Sequence, residues 1–337
     1  MTKEQINHLL LAGRISGNEG LAELIETHIS WILLGSHFVF KIKKPVYYSF
    51  LDFSSLEKRK YFCEREIALN NRLTNDIYVD VLPVRETAGR YEIGYEEGEI
   101  IDYAVRMRKV DRSRQMDVLL LNNQVTAADM EKLAEKIAAF HLSAEIIHQK
   151  DVLDVQTKFT DLEGERSFLS RELSPDDAEI IDRVIKKAGL FIVKNRTLLE
   201  NRLNEGFTRD CHGDLHSRNI FLLSEPQPFD CIEFNDDYRQ IDVLNDVAFL
   251  CMDLDYFNRK DLSDIFISNY NRLFNAMRND EEKQLFTYFK SYRANIRAKV
   301  NSLRARSSMN NHSKNHYLSE TGRYLRLMEH YINTLAI

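Results

Sequence analysis

The stretch CHGDLHSRNIFL, Cys211 to Leu222, decides how this chain is read. Histidine titrates near neutral pH, aspartate can take a proton, and asparagine can offer a metal an oxygen without adding charge. Here two histidines, an aspartate and an asparagine stand at fixed intervals before an apolar run, with Asp214 and Asn219 five positions apart. A second segment, PFDCIEF, Pro228 to Phe234, places Asp230 eleven positions after Asn219. Two carboxylates and a carboxamide brought this close by the chain point to chemistry, and the rest of the sequence must supply the other parts.

The composition limits what those parts can be. A chain of 337 residues exceeds the size at which one core keeps growing, so two lobes are expected. Apolar residues make up 44% and charged residues 29%, an ordinary globular balance. The formal net charge of −6 gives no basic field for nucleic acid, which is excluded as the expected partner. The first residues, MTKEQINHLLLAGRISG, lack the apolar run of a signal peptide, and no stretch approaches the roughly 18 apolar residues of a membrane helix. The four cysteines, Cys63, Cys211, Cys231 and Cys251, have neither metal-ligand nor disulfide spacing. These features predict a cytoplasmic protein with no membrane partner.

Working outward from the loop, Thr27–Leu34 and His37–Lys43 around Gly35-Ser36 read as a β-hairpin, since both runs are rich in β-branched and aromatic residues. A helix is expected over Phe53 to Leu73, opened by a capping box of Ser54 and Glu57. IYVDVLPV, RYEIGY and EIIDYAVRMRKV read as three further strands, the last two joined by the turn Glu96-Glu97-Gly98. Beyond Lys109 the periods become helical, as in ADMEKLAEKIAAFHLSAEII and DAEIIDRVIKKAGLF, interrupted by short strands near 219 to 234. The fold class is therefore α+β in two lobes: a small antiparallel sheet with one long helix over 1–107, and a larger, mainly helical lobe over 108–337.

His212-Gly213-Asp214-Leu215-His216-Ser217-Arg218-Asn219 fits the kinase catalytic-loop template HxDLxxxN. In that template the aspartate orients or deprotonates the attacking hydroxyl while the asparagine holds magnesium, so both must project from one short loop. With HGD in place of HRD and His216 in place of lysine, the sequence resembles the aminoglycoside phosphotransferase-like kinases, which have a protein-kinase-like fold and act mostly on small molecules. The likeness is greatest to a bacterial subgroup in which the kinase-like domain often precedes a P-loop ATPase domain, although this sequence has no GxxxxGK[ST]. The resemblance implies ATP and Mg2+ as cofactors, Asp214 as base, His216 in an auxiliary catalytic role, and Asn219 and Asp230 as metal ligands. His212 is expected to bond the loop backbone, and Asp246 to be structural. Glu233 reads more as a strand-end carboxylate than as a metal ligand.

The same resemblance asks for a lysine on the α- and β-phosphates and a glutamate to hold it. Lys41 in FVFKIKK suits the lysine, with apolar residues before it on both strand faces, but alternation places Lys43 on the same side and leaves it open as the alternative. Glu66 falls within the apolar stripe Leu56, Phe62, Leu69 and Leu73, where a carboxylate needs a cation, whereas Glu64 shares a solvated face with Glu57 and Lys60. The nucleotide is expected near VRMRKV, with Met107 in contact. There is no GxGxxG, so the region of THISW must cover the phosphates. Arg293, Arg297 and Arg304 share one helical face, where like charges four apart repel, so an anionic acceptor or internal pairing is expected. Two functions remain in view: a phosphotransferase acting on a hydroxyl group, and a nucleotide-binding module without catalysis that gates a partner.

Overall fold

The computed structural model describes residues 1–18, 20 and 23–336. The chain forms two compact units, Met1–Leu119 with Arg218–Arg239, and Leu120–Ser217 with Gln240–Ile337. This differs from a single cut at 107. The segment Arg218–Arg239 returns to the first unit because its backbone and side chains bond there: Arg114 donates to Leu222 O at 2.7 Å, and Cys231 N donates to Asn70 Oδ1 at 2.9 Å.

The first unit is built on a seven-stranded sheet. In chain order come α1 (Lys3–Ala12), β1 (Arg14–Ile15), β2 (Glu23–Glu26), β3 (Ser30–Leu34), β4 (Phe38–Lys43), the small hairpin β5 (Tyr47–Tyr48) and β6 (Leu51–Asp52), and α2 (Leu56–Asn70). Strands β7 (Tyr78–Thr87), β8 (Arg90–Ile93) and β9 (Glu99–Arg108) complete the sheet, whose order is β1-β8-β7-β9-β4-β3-β2. All neighbours are antiparallel except β1 and β8, which run parallel. The pleat of β4 decides the layout. Phe40 and Ile42 join Trp31, Leu33, Val84 and Ile93 in a core cluster that α1 covers with Ile6 and Leu9. Lys41 and Lys43 therefore point to the opposite face, the α2 side, because successive side chains alternate.

Two local expectations shift by one or more residues. The N-cap of α2 is Ser55, whose side chain accepts from Lys58 N at 3.2 Å, and not Ser54. Ser54 is already taken, donating its N–H and hydroxyl to Asp52 Oδ1. The fully buried face of α2 is Arg59, Cys63, Glu66 and Asn70, while Leu56, Phe62 and Leu69 flank it half-buried. Glu66 thus lies at the centre of the inward face, and Glu64 pairs with Lys60 in solvent.

The chain leaves the first unit through α3 (Met116–Leu121) and continues with α4 (Ala127–Ser143), α5 (Asp154–Thr160), α6 (Arg166–Glu172), α7 (Pro175–Lys194) and α8 (Arg196–Asn204). Strand β10 (Thr208–Asp210), the hairpin β11 (Ile220–Leu222) and β12 (Pro226–Pro228), and β13 (Gln240–Asp242) follow, then α9 (Val243–Tyr256), α10 (Lys260–Leu273), α11 (Asp280–Ser307) and α12 (Asn311–Asn333). Helix α7 begins as its sequence directs, with Ser174 as cap and Pro175 in the first turn, where a missing N–H costs nothing. Helix α4 stops at Ser143 rather than running on, since Ile147 N donates to Thr208 O and Ile146 pairs with Arg209. Helix α9 is buried nearly all round and is the axis of the second unit, packed by α10, α11 and β13. Arg202, fully buried, bonds Asp242 at 2.7 Å and Glu282 at 2.8 Å, tying α8 to the starts of α9 and α11. No described helix is long and apolar enough to cross a membrane.

Candidate active site

The first unit gathers five charged side chains from three segments. β4 supplies Lys41 and Lys43, α2 supplies Glu66, and the stretch after β12 supplies Asp230 and Glu233. Lys41 Nζ lies 2.8 Å from Glu66 Oε1 and 2.8 Å from Asp230 Oδ1. Lys43 Nζ lies 2.7 Å from Glu66 Oε2 and also bonds Glu233. Glu66 is wholly buried, and burial alone would push its carboxyl up, yet the two ammonium groups hold it well below the ordinary glutamate range. Among the described residues Glu233 has Lys43 alone at ion-pairing distance, and burial with the neighbouring Glu66 charge pushes it up. Burial opposes the charge on Lys41, but Asp230 and Glu66 outweigh it and raise its pKa well above normal.

The hairpin of β11 and β12 brings the two proposed metal ligands together. Ile220 pairs with Pro228, so Asn219 stands opposite Phe229 and next to Asp230, and Phe229 N donates to Asn219 O at 2.9 Å. Asp230 has a φ of +61°, a backbone region that non-glycine residues seldom adopt and that clusters at functional sites. It is held there from both sides: Asp230 N donates to Tyr78 OH at 3.1 Å, and the next amide, of Cys231, donates to Asn70. A carboxylate and a carboxamide are hard oxygen donors of the kind magnesium takes, and the Asp230 side chain stays 44% exposed, so these residues fit that ion. Met107 sits on β9 opposite Val39 and Tyr78, packed against Cys63, Ile77, Tyr78 and Val105. Between β2 and β3, the Thr27 side chain closes the THISW turn by donating to Ser30 O and accepting from Ser30 N.

The second unit presents the HGD loop. Gly213, at φ +86°, turns the chain in the left-handed region that glycine tolerates without cost. Asp246 of α9 accepts from His212 N at 3.1 Å and from Gly213 N at 2.9 Å, while its Oδ2 also bonds His141 Nε2 at 3.1 Å. His141 Nδ1 meets Tyr270 OH at 2.7 Å. Asp253, two helical turns further along α9, accepts from Ser217 N and Oγ. His141, Cys211 and Asp246 have the ligand types of a metal cluster, but the hydrogen bonds of His141 and Asp246 make them a brace under the loop. His212 is buried and accepts from Asp214 N at 3.2 Å, so it serves the loop backbone. Asp214 lies 3.4 Å from His216 Nε2 and remains about one-third exposed. Burial would raise its pKa, but His216, His212 and Arg297 hold it below the ordinary range.

The arginines of α11 do not form an open face. Arg293 is buried, donating to Gly213 O at 2.9 Å and to Asn245 O and Oδ1, while its Nη2 has no hydrogen-bond partner among the described residues. Arg297 is 5% exposed, interacts with Tyr324, Asp253 and Asp214, and its Nε has no hydrogen-bond partner among the described residues. Arg304 stands half-buried over the Tyr317 ring. Sequence reasoning missed Asn70, Tyr78, His141, Tyr270 and Asp253 as supports. For Asp253 a signal was present, since it lies seven residues after Asp246 and so on the same face of α9.

No family model matches the chain. Uncharacterized proteins of Mycobacterium tuberculosis and Mycobacterium bovis are 31% identical to it over 302 residues, covering 85% of this chain and 56% of theirs. The chain thus spans about half the length of the curated relatives it matches. Among solved structures, a choline kinase from Cryptosporidium parvum superposes with a TM-score of 0.58 at 11% identity, covering 93% of this chain and 90% of that one. The chain has the protein-kinase-like fold of the choline kinases. A choline/ethanolamine kinase family protein from Mesorhizobium loti agrees, with a TM-score of 0.51 at 11% identity over 98% of this chain and 100% of its own. The two-lobe α+β class expected from the strand and helix patterning and from the family resemblance is thereby met at the level of fold.

Proposed function

We propose that this chain is an ATP- and magnesium-dependent phosphotransferase that moves the γ-phosphoryl group to a hydroxyl of a small molecule. The observation that carries the reading is Lys41, bound at 2.8 Å both to a buried helix glutamate and to the strained aspartate of the β11–β12 hairpin. A lysine, its glutamate and a metal-type aspartate converge there, and the Asn219 backbone stands across the hairpin from Phe229, the residue before that aspartate. In this reading Lys41 contacts the α- and β-phosphates. Asn219 and Asp230 hold magnesium, which when bound neutralises charge on the β- and γ-phosphates. Met107 contacts the nucleotide.

Asp214 accepts the proton of the acceptor hydroxyl as its oxygen bonds the γ-phosphorus, while the bond to the β–γ bridging oxygen breaks and its electrons leave with ADP. His216, beside Asp214, keeps that carboxylate ionised and offers a donor to the transferring group. Because positioning and fixed charge supply most of the catalysis in such transfers, the bracing of the loop by Asp246 and Arg293 matters as much as the base itself. The acceptor is proposed to carry an anionic group. Arg297 supports this, as a buried guanidinium beside Asp214 with a donor still unspent.

The test is transfer of labelled γ-phosphate in a metabolite screen, with Asp214→Asn as blank. The variant should bind ATP as the parent does and turn over about 10²- to 10⁴-fold more slowly, the range for losing a general base. Full turnover in the variant would end the assignment. Binding without transfer to any acceptor by the parent would favour the silent nucleotide-binding module.

A further inference from the structure

Strand alternation delivers two lysines, not one, to the face covered by α2. Lys41 keeps 14% of its side chain exposed, while Lys43 is completely enclosed. Glu66 is divided between them, giving one oxygen to each. Lys43 also bonds Glu233 and stands 4.9 Å from the centre of the Phe53 ring, whose face attracts a cation. Two ammonium groups therefore face three carboxylates, Glu66, Asp230 and Glu233.

A single lysine in this position would meet a conflict. It would have to share its charge between a phosphate and the buried glutamate, and a buried carboxylate short of a counter-ion is strongly destabilising. Lys43 cannot take the ligand's part, since nothing of it reaches solvent. It can, however, stay on Glu66 Oε2 whatever Lys41 does at Oε1.

We propose that Lys43 is a positioning residue: a permanent counter-ion that fixes Glu66 and Glu233, so that Lys41 is free to exchange Asp230 for a phosphate group. This rests on the reading of Lys41 as a nucleotide lysine. It divides between two side chains what a lone lysine would do in sequence. Lys43 organises the charges, and Lys41 binds.

The experiment uses the full chain, with ATP and magnesium as the probe, and compares thermal midpoints and nucleotide affinity in Lys41→Met, Lys43→Met and the double variant Lys43→Met with Glu233→Gln. Lys41→Met should melt near the parent and lose at least tenfold in affinity. Lys43→Met should melt well below the parent. The double variant, relieved of one buried carboxylate, should recover most of the midpoint yet remain at least tenfold weaker for ATP, because Glu66 now claims Lys41. Restoring the cation with Lys43→Arg should recover affinity in part. A purely structural Lys43 would regain affinity together with the midpoint in the double variant, and that result overturns the proposal. Parental affinity in Lys43→Met overturns it equally. If the parent binds no ATP, the nucleotide reading itself fails and takes this proposal with it, whereas a binding parent without this pattern removes only the role of Lys43.

Discussion

The Asp246→Asn substitution tests the bracing of the HGD loop most directly. Asp246 is fully buried, and both its oxygens are in use: Oδ1 takes the Gly213 amide, and Oδ2 takes the His212 amide and His141. An asparagine of the same shape keeps one oxygen. Turned to serve His212 and His141, it sets its NH2 against the Gly213 N–H, donor against donor. One hydrogen bond to a charged group is lost, worth about 1.5–3 kcal/mol, and a buried amide is left unsatisfied at about 1–3 kcal/mol. A net loss of about 3–5 kcal/mol follows, which for a unit of about 200 residues lowers the melting midpoint by roughly 6–20 °C. The assay is thermal unfolding by circular dichroism at pH 7, with amide exchange at His212 and Gly213. Protection at Gly213 should fall more than protection elsewhere in α9. The acid side supplies a control. His141 and the neighbouring charges hold Asp246 at about 2, so its contribution is complete above the ordinary aspartate value and fades as the pH falls from about 4 towards 2. Parent and variant should converge there. A variant melting within 2 °C of the parent at pH 7, with Gly213 equally protected, would refute the reasoning.

Two further outcomes follow from the second unit. Arg297→Met removes one of the cations that keep Asp214 ionised, so the acid limb of the pH–rate profile should move to higher pH while the plateau near neutrality is set by acceptor binding alone. An unmoved limb would separate Arg297 from the base. Arg202→Met strands the largely buried Asp242, while Glu282 keeps Arg278, and should cost about 3–5 kcal/mol in denaturant unfolding, with the loss halved or better when Asp242→Asn is added. Stability unchanged within 1 kcal/mol would show that this carboxylate reaches water.

Part of the candidate site was legible because its residues lie close in the chain. Asn219 and Asp230 are joined by the short β11–β12 hairpin, whose register sets them near one another. The strand lysines were legible as a pair but not as individuals. Period-two alternation says that Lys41 and Lys43 share a face, and only the depth of α2 over that face separates the half-open one from the enclosed one. Glu66 was legible because a carboxylate on an apolar stripe demands a cation, even though the stripe itself proved to be turned towards Cys63 and Asn70. Arg293 was less legible. Helical spacing gives the common face of Arg293 and Arg297 but not what covers it, and Arg293 is met by the Gly213 carbonyl and by Asn245, contacts with no signature in sequence. The cap of α2 moved by one residue because Asp52 competes for Ser54.

The left-handed backbone of Asp230 restricts how this site can be altered cleanly. Asparagine shares aspartate's ease in that conformation and alanine does not, so truncation to alanine would let the hairpin relax and blur the loss of a charge with a change of shape. A variant meant to remove only the charge is therefore better made as Asp230→Asn. The same asymmetry narrows the substitutions open to this position, since few side chains can occupy it without unbending the chain beneath it.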